Sequence, residues 1–208
     1  MKRKLGIVAA FMLVFLAVTG CQKQEEATKE PEQKQEKASE DLLSGTHHVE
    51  IQVKDYGTIA VELDADTAPI TVTNFVNLAK DGFYDNLTFH RIMDGFMIQG
   101  GDPNGDGTGG ADKTIKGEFS SNGVENEISH TRGTISMARA QDPDSASSQF
   151  FIVQEDSDYL DGDYAAFGHV TSGMEIVDQI CKDVPVEDDN GTVKAENQPV
   201  IEKITITD

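Results

Sequence analysis

The sequence is short of cysteine, of basic side chains and of long apolar runs, and each shortage closes off a class of protein. Cysteine occurs only at Cys21 and Cys181. A scaffold stapled by several disulfides is therefore excluded, and any exported domain must rely on its own core. From Thr46 onward the chain is long enough to build one. Lys and Arg number 17 against 37 Asp and Glu, a net charge of −20 over 208 residues. So acidic a surface excludes nucleic acid as a partner and opposes adhesion to anionic lipid headgroups. The one nearly unbroken apolar run, Leu5 to Val18, is shorter than the roughly 20 residues that span a bilayer.

What is present begins with that run. Preceded by Lys2, Arg3 and Lys4, it reads as a secretory signal peptide. It ends in Val18-Thr19-Gly20-Cys21, which resembles the bacterial lipobox. That resemblance implies removal of residues 1–20 and acylation of Cys21, including a palmitate-type chain. The mature protein would then be membrane-anchored through Cys21 at the outer face of a cytoplasmic membrane, with a Gram-positive cell surface as the natural setting. Residues 22–45 are rich in Glu, Gln, Lys and Ser and bury too little to offset their ordering entropy. The expected organisation is a signal peptide (1–20), a lipidated cysteine with a disordered charged tether (21–45), and a folded domain (46–208). With Cys21 lipidated, Cys181 has no intrachain disulfide partner.

From His48 the pattern alternates. Val49, Ile51 and Val53 share one face, and Ile59, Val61 and Leu63 repeat the period after Asp55-Tyr56-Gly57, which predicts a β-hairpin. A helix follows, with Pro69 in its first turn and Val72, Phe75, Val76 and Ala79 on one face, closed near Gly82. Ser172 and Glu175 form a capping-box pattern for a second helix whose stripe is Met174, Val177 and Cys181. Short apolar segments lie at 88–92, 96–99, 133–138, 149–153, 165–170 and 200–206, separated by Gly and Asp. Many short strands with two helices predict a mainly β antiparallel barrel or sandwich.

Three blocks carry more. Phe89 to Asp102 reads FHRIMDGFMIQGGD; Gly133 to Ala138 is followed by Ser148-Gln149-Phe150-Phe151-Ile152; and Leu160-Asp161-Gly162 precedes Phe167-Gly168. In order and approximate spacing these resemble the signature blocks of cyclophilins. The resemblance implies a closed eight-stranded antiparallel β-barrel capped by two α-helices, and peptidyl-prolyl cis/trans isomerase activity without cofactor or metal. It implies catalytic roles for Arg91, Phe96 and Gln99. Arg91 would donate to the twisted X-Pro amide, stabilising it more than the planar ground state. Phe96, Met97, Phe151 and Leu160 would hold the proline ring. The backbone around Ala138, Arg139 and Ala140 would bind the substrate chain, with Gly107 and Gln149 completing the groove. The implied partners are proline-containing exported polypeptides, met by a monomer.

Three positions depart from the family pattern. Arg139 stands where many members have Asn, adding charge near the groove. Tyr159 replaces a Trp of many eukaryotic members, which predicts weaker cyclosporin binding. Tyr164 replaces a common His while keeping a flat wall. Asp102 to Gly107 imitates the start of an EF-hand, but Lys113 stands at its twelfth position, so the segment reads as a Gly-rich connection. Ser147 and Ser148 lack a nucleophile-elbow frame, and the histidines lack ligand spacing. A second functional reading is a proline-segment-binding chaperone or adhesion module with negligible turnover.

Overall fold

The computed structural model describes residues 42–208. The expected signal peptide, Cys21 and most of the expected tether lie outside the described residues. The predicted hairpin is present: β1 (Thr46–Val53) pairs antiparallel with β2 (Gly57–Asp64), with Val49 opposite Val61 and Ile51 opposite Ile59. Asp55 accepts a left-handed backbone in the turn, a conformation that Asp tolerates better than most side chains. The apolar set of both strands is buried, as a period of two requires. The folded body reaches back beyond Thr46, because the Leu43 amide donates to Thr73 Oγ1 (2.8 Å) and Gly45 to Asp66 (2.7 Å).

Helix α1 (Pro69–Lys80) buries Val72, Phe75, Val76 and Ala79, and Gly82 follows it with a positive φ. Its N-terminus is not capped by its neighbours. Glu118, 2% exposed, reaches in from a distant loop and accepts from the amides of Ile70 (3.0 Å) and Thr71 (2.7 Å). A carboxylate there both satisfies orphan N–H groups and meets the positive end of the helix dipole.

The remaining strands are β3 (Thr88–Met93), β4 (Met97–Asp102), β5 (Thr134–Met137), β6 (Phe150–Val153), β7 (Ala166–Ser172) and β8 (Ile201–Ile206). Each matches one predicted segment. They form one antiparallel sheet in the order β3-β4-β6-β5-β7-β2-β1-β8. The sheet is curled rather than zipped into a full cylinder. Its edges β3 and β8 are joined by an isolated bridge, Thr88 to Val200, and by backbone bonds such as Phe89 N to Pro199 O (3.0 Å), not by a ladder. Within the curl, Phe75 packs its ring 5.1–5.4 Å from those of Tyr84, Phe150 and Phe167.

Helix α2 (Met174–Asp183) begins later than its capping-box pattern predicts. Ser172 is spent as the last residue of β7, opposite Ala60, and makes no cap. Gly173 reverses the chain instead, at φ 98°, where a Cβ would stand 2.8 Å from the Thr58 carbonyl. Val177 and Cys181 are buried as expected, together with Ile176 and Ile180, while Met174 is only partly covered. Burial pushes the Cys181 thiol up to about 12, so it is inert as a nucleophile at neutral pH.

Candidate active site

Strands β4 and β6 are neighbours, and their alternation sorts side chains to two faces. Ile98, Phe150 and Ile152 join the main core. Met97, Phe151 and Val153 form a separate apolar cluster, with Met93, Phe96, Ala138, Leu160 and Tyr164 packed around it. This second cluster floors an open cavity of about 220 Å³. Arg91, Gln99 and Arg139 supply the rest of its lining. The predicted proline-ring residues Phe96, Met97, Phe151 and Leu160 therefore do converge, and Tyr164 stands with them.

A second, polar cavity of about 360 Å³ adjoins the first and shares Gln99, Ala138 and Arg139 with it. Gly107, Ala140 and Gln149 line this one. Tyr159 lines neither. It is 68% exposed at the rim, with its ring 6.0 Å from that of Phe96.

Arg91 and Gln99 are register partners across β3 and β4. The Arg91 Nη1 donates to Gln99 Oε1 (3.1 Å), Gln99 Nε2 to Gln149 Oε1 (2.9 Å), and Gln149 Nε2 to the Gly109 carbonyl (2.8 Å). One relay of hydrogen bonds thus runs from the apolar cavity into the polar one. On its other side Arg91 Nε donates to the Asn190 carbonyl (2.8 Å), and Nη2 reaches Asn190 Oδ1 (3.3 Å) and Met93 Sδ (3.1 Å). Burial lowers the Arg91 pKa from its ordinary value, against the pull of Tyr164, Tyr159 and Asp188, but a guanidinium starts so high that it stays cationic.

Asn190 was not among the expected site residues. The loop that carries it is fastened by Asp188, which accepts from the amides of Asn190 (3.0 Å) and Thr192 (3.1 Å). Gly191 has φ 82° and lies so close to the Ile92 carbonyl that no Cβ fits. An Asp-x-Asn-Gly turn is legible in sequence, but its target, 99 residues away, is not.

His130 is the other omission. Its ring is fully buried behind the apolar cavity, stacked on Phe151 at 6.0 Å and 16° and edge-on to Tyr164 at 6.4 Å. Nδ1 lies 2.8 Å from Asp161 and Nε2 lies 2.9 Å from Ser136 Oγ. Burial lowers its pKa despite the Asp161 carboxylate. Burial also opposes charge on Asp161, but bonds from Ser129 and His130 outweigh it and hold that carboxyl below its usual range. The Ser-His-Asp order resembles a hydrolase triad, yet Ser136 is 0% exposed and no substrate carbonyl could reach it.

The Asp102 carboxylate is committed to its own turn, accepting from the amides of Asn104 (2.8 Å) and Gly107 (2.6 Å). Among the described residues no cluster of three His, Cys, Asp or Glu could hold a metal ion. The amides of Ala138 and Ala140 are also spent, on the Gln149 carbonyl (3.0 Å) and Ser145 Oγ (2.9 Å). Of the three backbone N–H groups in this stretch, only that of Arg139 lacks an internal partner among the described residues.

Comparison with known proteins agrees with this geometry. A family model described as cyclophilin type peptidyl-prolyl cis-trans isomerase/CLD matches residues 48–208. Peptidyl-prolyl cis-trans isomerase B of Bacillus subtilis is 46% identical over 140 residues, 65% of this chain and 94% of the relative. A peptidyl-prolyl cis-trans isomerase of Helicobacter pylori is 45% identical over 143 residues, 68% of this chain and 84% of the relative. A Cryptosporidium parvum cyclophilin type isomerase, solved in the presence of the dipeptide Ala-Pro, superposes with a TM-score of 0.68 at 32% identity, covering 77% of this chain and 99% of that one. A curled eight-stranded sheet, an apolar cavity edged by an arginine and this depth of similarity establish that the chain belongs to the cyclophilin-type peptidyl-prolyl cis-trans isomerases.

Proposed function

We propose that this isomerase accelerates X-Pro exchange in proline-containing segments of exported polypeptides, with Arg91 as the group that lowers the barrier. The observation that carries this reading is the pinned Arg91 guanidinium at the edge of the apolar cavity. Of the five N–H groups of an arginine, four are engaged by Asn190, Gln99 and Met93, and one on Nη1 is left for a substrate.

The uncatalysed twist costs about 18–20 kcal/mol because it breaks amide resonance. In the twisted amide the proline nitrogen becomes pyramidal and regains a lone pair. A cation fixed beside it, on a low-dielectric floor of Met97 and Phe151, favours that form over the planar one. Phe96, Met97, Phe151, Leu160 and Tyr164 would seat the ring, Gln99 and the Arg139 backbone would hold the chain, and Gly107, Ala140 and Gln149 would receive the residues before proline. No covalent bond is made or broken, so no nucleophile is required.

Uncatalysed isomerisation takes about 10–100 s, slow enough to stall folding of an exported chain. A lipid anchor on Cys21, supported by the lipobox-like Val18-Thr19-Gly20-Cys21, would place the domain where such chains emerge. Replacing Cys21 by Ala should release the protein from sedimented membranes; retention of the variant there would remove the anchor from the proposal. The exposed position of Tyr159 in place of Trp supports weak cyclosporin binding, which competition against peptide turnover measures directly.

Exchange NMR on an Ala-Pro-Phe peptide tests the catalytic role. The parent protein should broaden and merge the cis and trans signals, and Arg91→Ala should lose on the order of 100- to 1000-fold in rate while still binding. Binding by the parent without acceleration would leave a proline-segment chaperone or adhesion module.

A further inference from the structure

Arg139 is expected to place a charge near the groove, but its Nε and Nη1 are engaged by the protein. Its Nε donates to the Asp163 carbonyl (2.8 Å), and Nη1 donates to the carbonyls of Ala140 (2.9 Å) and Gln141 (3.4 Å). The guanidinium carbon lies 4.8 Å from the centroid of the Tyr164 ring and 5.2 Å from that of Phe119. One side chain therefore joins three segments that are distant in sequence: the stretch after β5, the loop before β7, and the buried Phe119.

Tyr164 needs such a partner. Its ring meets Phe151 edge-on at 6.0 Å and His130 at 6.4 Å, and among the described residues its hydroxyl makes no hydrogen bond. Those contacts hold it from the interior. Arg139 covers it from another side, and a planar fork suits that task because it can bond carbonyls in its plane while stacking on an aromatic face. Arg139 is also one of the three residues, with Gln99 and Ala138, that line both cavities. Fixing its side chain also fixes the backbone of a residue whose N–H has no internal partner among the described residues.

We propose that Arg139 is a positioning residue that holds the Tyr164 wall and the groove backbone, and so sets substrate affinity without reading substrate charge. This rests on the isomerase reading of the groove. The competing role is that of a charge reader, since the two Nη2 hydrogens are not bonded within the described residues.

The test uses the full chain in mild detergent with Arg139→Ala, Arg139→Lys and Arg139→Gln. KM and kcat are measured by exchange NMR on two peptides that carry Glu or Lys before proline. A positioning role predicts that Ala and Lys variants raise KM roughly fivefold for both peptides alike, with kcat moved less than twofold and the Tyr164 ring resonances shifted. Lysine cannot reproduce the fork, so it should not rescue. Three results would overturn the proposal: recovery of KM in the lysine variant, opposite shifts for the two peptides, or unchanged KM. Melting curves identify any variant that fails to fold, and the longer Lys and Gln side chains keep the comparison available if Ala does. If the parent protein binds both peptides without accelerating exchange, the isomerase reading fails, while peptide affinities still decide the role of Arg139.

Discussion

Phe150 and Phe151 are adjacent in β6, yet they belong to different parts of the molecule. Phe150 lies 5.4 Å from Phe75 within the main core, where every neighbouring contact is internal. Phe151 belongs to the small cluster that floors the apolar cavity, beside a buried histidine and an arginine. The strand pleat alone separates them. On the inner face apolar bulk serves stability; on the outer face the same bulk is interrupted by Gln99 and edged by Arg91, an arrangement a core would not tolerate without function.

The largest expected effect breaks this comparison at its base. Phe150→Ala should cost about 3–5 kcal/mol in urea unfolding, as large aromatic truncations in a closed core do. Phe151→Ala should cost less, because its cluster borders an open cavity, but should weaken peptide binding in an NMR titration. Equal stability losses with unaltered peptide binding in Phe151→Ala would dissolve the distinction between the faces.

Asn190→Ala sharpens the outer face. It removes the long bond to Arg91 Nη2 and keeps the carbonyl bond to Nε. Hydrogen bonds to charged groups contribute about 1.5–3 kcal/mol, and this partly exposed one less, so kcat/KM should fall roughly fivefold at unchanged Tm. No loss of kcat/KM would mean that the backbone carbonyl alone pins the guanidinium.

The smallest effect is a pH dependence. Burial lowers the pKa of both His130 and His90, so the unfolded chain takes up protons first as pH falls. Stability should hold above the ordinary histidine value of about 6.5 and decline below it, until the lower folded-state values are passed. His130→Gln can still donate to Asp161 and accept from Ser136, and should flatten part of that decline in chemical unfolding across this range. An unchanged profile would assign the dependence to His90.

Much of the fold was legible because its signals are local. The alternation of Val49, Ile51 and Val53 against Ile59, Val61 and Leu63 needs only a turn to become a hairpin, and the face of α1 is written in its own residues. The Ser172 and Glu175 pattern misled because strand pairing with β2 claimed Ser172 first. The candidate site residues within the signature blocks are legible only through the resemblance; periodicity alone leaves Phe151 and Met97 as ordinary core. Asn190, His130 and the folded-back side chain of Arg139 were hidden for one reason. Each acts through a contact between segments far apart in sequence, and no window of residues contains both ends.

Tyr159 stands at the rim in a chain that has no tryptophan, exposed, beside Phe96 and outside both cavities. That combination leaves the groove without an indole of its own. An indole introduced as Tyr159→Trp would be the sole fluorophore of its kind, seated at the mouth of the groove. Excited at the red edge of its absorption, where tyrosine does not absorb, its emission could follow the arrival and departure of an unlabelled polypeptide in real time, with no dye and no competing indole.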